Sequence, residues 1–120
     1  MTEINFVLLY VQNPAQSEVF YARLLGRPAA ESSPTFVVFA MPSGVMLGLW
    51  GAGGVAPAAT PPGGSEIAFA VADRAAVEAR HAEWRANAVA IAQAPVAMDF
   101  GYTFTALDPD GHRLRVFAPG

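Results

Sequence analysis

The side chains that could carry out covalent or acid–base chemistry are few in this 120-residue sequence. It contains no cysteine, which excludes a disulfide, a thiolate metal site and a thiol nucleophile. His81 lies on the inner stripe of a predicted helix and His112 lies beside a turn, so neither is assigned a catalytic role. Ser17 and Ser65 lack the nearby base and carboxylate that nucleophilic catalysis requires. The sequence therefore predicts no catalytic residue.

Other residues are better suited to holding a ligand. Trp50 ends a predicted strand and can stack its indole ring on a planar compound, or else it fills a subunit interface or the cavity itself. Arg115 and Glu66 fall on one sheet face, where they either pair with each other or leave Arg115 to bind a ligand carboxylate or carbonyl. Phe100 and Tyr102 follow a loop and are placed to gate the mouth of a cavity. The predicted ligand-binding residues are Trp50, Arg115, Glu66, Phe6, Met46, Gly48, Phe100, Tyr102 and Phe117.

The composition limits the partners of the protein. Apolar residues make up 53% of the chain and charged residues only 14%, against about 25% in an ordinary domain. The net charge of −3 does not provide the basic surface that nucleic acid requires. The uncharged stretch between Glu31 and Glu66 is broken at Pro42-Ser43-Gly44, so it predicts a buried hairpin rather than a membrane span. No secretory signal is evident, and a cytoplasmic location is predicted.

The elements that must position these residues occur twice. Each copy begins with an apolar strand, continues with a capped helix and ends in a hairpin. The predicted elements are strand 4–11, helix 14–25, strands 36–40 and 45–50, strand 66–71, helix 74–87, a weaker strand 88–92, and strands 102–107 and 111–117.

The two copies align with each other. Residues 6–13 align with residues 66–73, and the turn at Pro42 aligns with the turn at Pro109. The alignment predicts an α+β fold built from two βαβββ modules. The predicted organisation is a single domain over 1–120, with module one at 1–50, a linker at 51–64 and module two at 65–120.

Strand alternation gives each predicted sheet two different faces. In the first strand, Val7, Leu9 and Val11 face the helix, whereas Phe6 and Leu8 face away from it. The second face is still largely apolar, and no further element remains to cover it. The pattern therefore predicts a ligand cup or a subunit interface on that face.

Two motifs resemble those of a known family. One is the opening strand with Asn13-Pro14, a helix and Leu24-Leu25-Gly26, and the other is the closing run from Asp108 to Phe117. Together they resemble the vicinal oxygen chelate superfamily, which contains glyoxalase I, extradiol dioxygenases and bleomycin-resistance proteins. The resemblance implies paired βαβββ modules that form a cupped mixed sheet with helices on its outer face, commonly completed in a homodimer.

The same resemblance implies where a metal ion would be bound. Metalloenzymes of the superfamily place ligands at positions that align here with Phe6, Gly48, Glu66 and Arg115. Only Glu66 offers an oxygen, and Arg115 is a permanent cation without a lone pair to donate. The sequence therefore predicts that the protein uses no metal ion and no other cofactor.

The metal-free, drug-binding branch of the superfamily is more similar. The segment from Leu47 to Gly51, with Ser65-Glu66-Ile67 and residues 99–104, resembles phenazine-antibiotic resistance proteins, and this implies that Trp50 stacks on a flat drug. The predicted function is metal-free binding and sequestration of a small planar aromatic compound by a homodimer. The alternatives are a glyoxalase- or dioxygenase-like lyase or oxidoreductase, and an interaction domain whose apolar face serves only dimerisation.

Overall fold

The chain folds as two modules, each with four strands and one helix, in a computed structural model that describes residues 2–120. Module one contains β1 (Phe6–Val11), α1 (Pro14–Leu25), β2 (Glu31–Ser32), β3 (Phe36–Ala40), β4 (Met46–Gly51) and a short 3-10 helix (Ala52–Gly54). Module two contains β5 (Glu66–Ala70), α2 (Arg74–Ala86), β6 (Ala90–Met98), β7 (Gly101–Leu107) and β8 (Arg113–Pro119). The predicted α+β class and the two βαβββ modules are confirmed.

The two sheets have the same topology. The strand order is β1-β4-β3-β2 in module one and β5-β8-β7-β6 in module two. The first strand of each module runs parallel to its neighbour, and the remaining pairs are antiparallel. Each helix packs against the sheet of its own module. The opposite face of each sheet therefore has no helix of its own module over it.

Both helices begin where the sequence predicts. The side chain of Asn13 accepts a hydrogen bond from a backbone N–H of α1 at 3.1 Å, and Pro14 occupies the first helical position. Gly26 ends α1 with a φ of 67°, which glycine adopts without steric cost. Asp73 caps α2 in the same way, with a hydrogen bond of 2.8 Å. Within residues 2–120, neither α-helix is long and apolar enough to cross a membrane.

The core of each module lies between its helix and its sheet. In module one the fully buried apolar side chains are those of Val11, Tyr21, Val37, Phe39 and Leu49. In module two the core side chains, all at most 2% exposed, are those of Val77, Trp84, Phe104, Leu114 and Val116. His81 packs its ring edge-to-face on Phe104 at 5.2 Å, which is the packing role that its position on the helix predicts.

The exposure of the side chains along β1 confirms the predicted alternation. Leu9 and Val11 on the helix side are 8% and 0% exposed, whereas Phe6 and Leu8 on the other side are 43% and 45% exposed. Each module therefore has one buried apolar face and one apolar face that its own helix leaves open.

The turn between β7 and β8 is the one that its sequence predicts. The side chain of Asp108 accepts hydrogen bonds from the backbone N–H groups of Asp110 at 2.9 Å and His112 at 2.8 Å. Gly111 has a φ of 91°, a value that side-chain-bearing residues rarely adopt. This turn fixes the pairing register of β7 and β8, in which Arg115 lies opposite Thr105.

Two strands differ from the sequence prediction. The short β2 is not predicted, because its two residues are exposed and show no apolar pattern. β6 extends to Met98 rather than ending near residue 92, and its register with β7 shifts around Gln93 and again before Val96. Pro95 lies at this irregularity, which is possible because β6 is an edge strand.

The chain divides between Pro61 and Pro62 into two compact units, inside the predicted linker at 51–64. The first part of that stretch is structured, since the 3-10 helix leads into Val55, which is buried. The organisation of both modules as a single domain stays a prediction.

Candidate functional site

The open face of module one is lined with apolar and aromatic side chains. Strand alternation directs them away from α1, and the register of β1, β4 and β3 places them side by side. This aromatic face consists of Phe6, Leu8, Tyr10, Met46, Gly48, Trp50 and Phe36. The face therefore brings together the predicted binding residues Phe6, Met46, Gly48 and Trp50.

The rings of the aromatic face contact one another in series. The ring centroids of Phe6 and Phe36 are 6.5 Å apart, and those of Phe36 and Trp50 are 6.3 Å apart. Tyr10 meets Trp50 edge-to-face, also at 6.3 Å. All three pairs fall within the range of about 4.5–7 Å in which aromatic rings attract. They border a depression of about 460 Å³ that is lined by Phe6, Leu8, Thr35, Phe36 and Trp50.

Gly48 lies buried in the middle of this face. A Cβ atom added there would lie 2.7 Å from Leu8 Cδ2 and 2.9 Å from Phe6 Cε1. Carbon atoms in real structures do not approach so closely. A metal-ligating side chain therefore does not fit at this position unless Leu8 and Phe6 move.

The open face of module two has a charged centre instead. Arg115 donates from Nε to Glu66 Oε1 at 2.7 Å and from Nη2 to Glu66 Oε2 at 2.9 Å. Its Nη1 donates to Thr103 Oγ1 at 3.2 Å and to Gln93 Oε1 at 3.4 Å. We call these four residues the arginine cluster. Of the two alternatives open from the sequence, the structure has Arg115 and Glu66 paired.

The arginine cluster stabilises both charges. The hydrogen bond from Arg115 holds the pKa of the Glu66 carboxyl below its usual value, although partial burial opposes the shift. The same hydrogen bond raises the pKa of the Arg115 guanidinium. The side chains are 16% exposed for Arg115 and 28% for Glu66, so both ions are partly withdrawn from water. The pair is therefore ionised at neutral pH.

Two predicted binding residues lie beside Arg115. The Phe100 and Phe117 rings meet edge-to-face with centroids 6.1 Å apart, and the Arg115 guanidinium carbon is 5.8 Å from the Phe100 ring centroid. Phe100 is 45% exposed, so it presents an open apolar surface next to the charged centre.

Tyr102 is not brought together with this group. It lies two residues before Phe104 and on the same face of β7, where the Phe104 ring packs against α2, and its hydroxyl donates to Glu78 of α2 at 3.0 Å. The Arg74 guanidinium lies over its ring at 4.6 Å. The hydrogen bond to Glu78 raises the pKa of Tyr102. Tyr102 therefore lies on the helix side of β7, opposite Arg115, and the sequence prediction that it gates a cavity has no geometric support.

The implied metal site does not fit the residues present. Phe6 and Gly48 offer no donor atom, and both oxygens of Glu66 accept hydrogen bonds from Arg115. Within residues 2–120, no group of three or more His, Cys, Asp or Glu side chains is placed to hold a metal ion. The donor set therefore cannot bind a divalent ion.

Sequence reasoning missed several members of both faces. Phe36 was missed because its strand was not assigned a face, although alternation from Val37 would have placed it on the open face. Gln93 was missed because the predicted strand ended before it. Thr103 was missed because a buried threonine resembles an ordinary core residue. Only the fold shows that these residues meet Trp50 and Arg115.

Comparison with known proteins gives consistent matches. Residues 3–116 match the model of the Glyoxalase/Bleomycin resistance protein/Dioxygenase superfamily. Phenazine antibiotic resistance protein EhpR of Enterobacter agglomerans is 30% identical over 115 residues, which cover 93% of this chain and 88% of EhpR.

Solved structures show the same fold. A protein of Agrobacterium tumefaciens determined by solution NMR is 48% identical, with a TM-score of 0.89 over 100% of this chain and 99% of that one. A glyoxalase-related enzyme of Fulvimarina pelagi shares the fold at 21% identity, with a TM-score of 0.84 over 98% of this chain and 88% of its own.

Proposed function

The chain belongs to the Glyoxalase/Bleomycin resistance protein/Dioxygenase superfamily, and from that membership we propose that it binds and sequesters a small planar aromatic compound without a metal ion. The observation that carries the proposal is the aromatic face of module one, where Phe6, Phe36 and Trp50 border an open depression. The relative EhpR, a phenazine antibiotic resistance protein, supports a flat polycyclic compound as the ligand.

The aromatic face can supply the affinity by burial and ring contact. A flat ring placed on it removes apolar surface from water, which contributes about 25 cal/mol per Å². Each ring pair adds roughly 0.5–1.5 kcal/mol beyond that burial. Within residues 2–120 the Trp50 indole N–H has no hydrogen-bond partner, so it can donate to a ring nitrogen or a carbonyl of the ligand.

Sequestration requires affinity and no reacting group. The histidines are engaged in packing and in the turn, and the only carboxylate of the arginine cluster is paired. A protein of this kind protects in proportion to the number of molecules that it binds. We therefore assign no step of bond making or breaking to these residues.

The open face of module two, taken by itself, also offers polar recognition. A guanidinium has five N–H donors, and Arg115 uses four of them on Glu66, Gln93 and Thr103. The remaining hydrogen on Nη2 can donate to a ligand carbonyl without breaking the pair. Phe100 and Phe117 provide apolar contact beside it.

The proposal includes a homodimer in the cytoplasm. Three large apolar side chains are exposed at the edge strand β1. Phe6 and Leu8, on the strand, are 43% and 45% exposed, and Ile4, just before it, is 84% exposed. Apolar side chains in such a row favour association with a second copy. Sedimentation velocity at micromolar protein is expected to give the mass of a dimer, and a monomer would contradict this part.

Fluorescence quenching by phenazine tests the ligand. Trp50 is the reporter in a Trp84→Phe background, where it is the single tryptophan, and titration with phenazine at micromolar concentration is expected to quench its emission to a saturable endpoint. Trp50→Phe is the matched control, because it keeps an aromatic ring but removes the reporter and the indole N–H. Isothermal titration of the same variant measures binding independently of fluorescence.

The outcomes separate the functions. Saturable heat at one phenazine per chain, weakened in Trp50→Phe, supports sequestration. Absence of any heat or quenching with phenazine- and bleomycin-class compounds overturns it. In that case, loss of dimer stability in Trp50→Ala without any ligand-dependent thermal shift identifies an interaction domain.

A further inference from the structure

We propose that Gly48 is the residue that positions the aromatic face so that a flat ring fits against it where the ligand crosses β4. Its missing side chain is the space into which Phe6, Leu8 and Phe36 fold. This inference rests on the proposed ligand-binding function, which it deepens by naming the residue that shapes the binding surface.

A glycine at this position weakens the strand that contains it. β4 is a central strand, and Gly48 is paired with Leu8 of β1 on one side and Val38 of β3 on the other. Glycine loses more backbone freedom on folding than any other residue and packs no side chain. The backbone at Gly48 lies outside the left-handed region, so its conformation does not require glycine. What requires glycine here is space.

That space is filled from both neighbouring strands. A Cβ at Gly48 would lie 2.7 Å from Leu8 Cδ2, 2.9 Å from Phe6 Cε1 and 3.0 Å from Phe36 Cζ. The leucine methyl could turn away, but the two ring atoms belong to rigid groups. A side chain at this position would therefore displace the ring of Phe6 and press on the ring of Phe36, which would have to give by a few tenths of an ångström.

A displacement of these rings would reach Trp50. The centroids of Phe6 and Phe36 are 6.5 Å apart, and Phe36 is 6.3 Å from Trp50. Because the rings touch in series, their angles are set together. Phe6, Leu8 and Phe36 cover Gly48, so the depression is lined there by these side chains and not by the glycine, and a flat ring fits against them.

Gly48→Ala tests the inference against two controls. Gly53→Ala is the matched control, because Gly53 lies in the same module, has an ordinary φ and would place its Cβ in open space. Leu8→Ala removes the nearest colliding atom, so Leu8→Ala/Gly48→Ala is the rescue variant. All variants are made with Trp84→Phe, which leaves Trp50 as the single tryptophan.

Two readouts are measured on each variant. The first is the emission maximum of Trp50 without ligand, and the second is the dissociation constant for phenazine. Gly48→Ala is expected to shift the emission and to weaken phenazine binding about 10-fold. In the Leu8→Ala background the same substitution is expected to weaken binding less than about threefold, because part of the collision has been removed.

The two proposals fail in different ways. If the parent protein does not bind phenazine, the proposed function fails, and the ligand-free emission still decides the role of Gly48. If Gly48→Ala leaves emission and binding within the range of Gly53→Ala, the positioning role is overturned. If Gly48→Ala does not fold, the rescue variant must fold and bind, and its failure to do so also overturns the inference.

Discussion

The two modules share one topology, but their open faces differ in chemistry. In module one the positions implied for metal ligands are Phe6 and Gly48, and aromatic rings close over the glycine. In module two they are Glu66 and Arg115, which form a two-pronged ion pair. One scaffold can therefore fill equivalent positions either with apolar ring contacts or with the side chain of an arginine.

The two solutions respond differently to their surroundings. Ring contacts and burial depend little on pH or salt, whereas an ion pair is screened by salt and requires an ionised carboxylate. The aromatic face contains no carboxylate, and the arginine cluster is centred on one. The stability losses caused by equivalent substitutions in the two modules can therefore be compared directly.

The largest expected loss of stability comes from the cores, and it tests whether the two modules differ only at their open faces. Phe39 and Phe104 are both fully buried on the helix side of their sheets. Phe39→Ala and Phe104→Ala are each expected to lower the free energy of unfolding by about 3–5 kcal/mol, since each leaves a cavity. Urea denaturation measures both. A marked difference between them would show that the modules also differ in their cores.

Removal of Arg115 is expected to be the next largest effect. Arg115→Ala leaves Glu66 partly buried without its main partner, and should lower the free energy of unfolding by about 2 kcal/mol. Arg113→Ala is the matched control, because Arg113 is 63% exposed and lies 3.9 Å from Glu66, and should cost less than about 0.5 kcal/mol. Equal losses in the two variants would contradict a structural role for the pair.

A smaller effect is expected for Trp84→Phe in module two. The Trp84 indole N–H is buried without a hydrogen-bond partner, so its removal relieves an unsatisfied donor and offsets part of the lost packing. We expect a loss of about 1 kcal/mol in urea denaturation, well below that of Phe104→Ala. A loss as large as that of Phe104→Ala would mean that the donor is satisfied in solution.

An effect of similar size depends on pH. Because the pKa of Glu66 is lowered in the folded protein, its contribution is fully present above the usual carboxyl value near 4.5 and is lost as the pH falls through the folded pKa. The stability difference between the parent protein and Glu66→Gln should be about 1 kcal/mol near neutral pH and vanish in acid.

Carbon NMR of the Glu66 carboxyl checks the pKa directly. The titration midpoint should lie below 4.5 in the parent protein and rise in Arg115→Met, which keeps the apolar stem without the charge. A midpoint that does not change between the two proteins would show that Arg115 is not the cause.

Much of the fold could be predicted from local signals. Asn13 and Asp73 are strong caps, Gly26 ends a helix, and alternation assigned Phe6 and Leu9 to opposite faces. The missed strands carry no such signal. β2 is short and polar, and β6 is rich in alanine with a proline inside, so its pairing depends on β7 rather than on its own sequence.

The candidate site could be predicted only in part. Alternation placed Trp50 and Arg115 on the open faces of their sheets, because each lies on a regular strand. The role of Gly48 depends on side chains from two other strands, and a glycine in isolation gives no measure of the space around it. The contact of Gln93 with Arg115 depends on the register shifts of β6, which no local pattern encodes.

The irregular edge of module two has a consequence for how copies of the protein can assemble. β6 is an edge strand, and its register shifts and Pro95 interrupt the regular row of backbone groups that another strand would need. Strand-by-strand addition, the route to fibres, is therefore disfavoured at this edge. A second copy that approached β6 would have to bind through side chains rather than through a continued ladder of backbone hydrogen bonds.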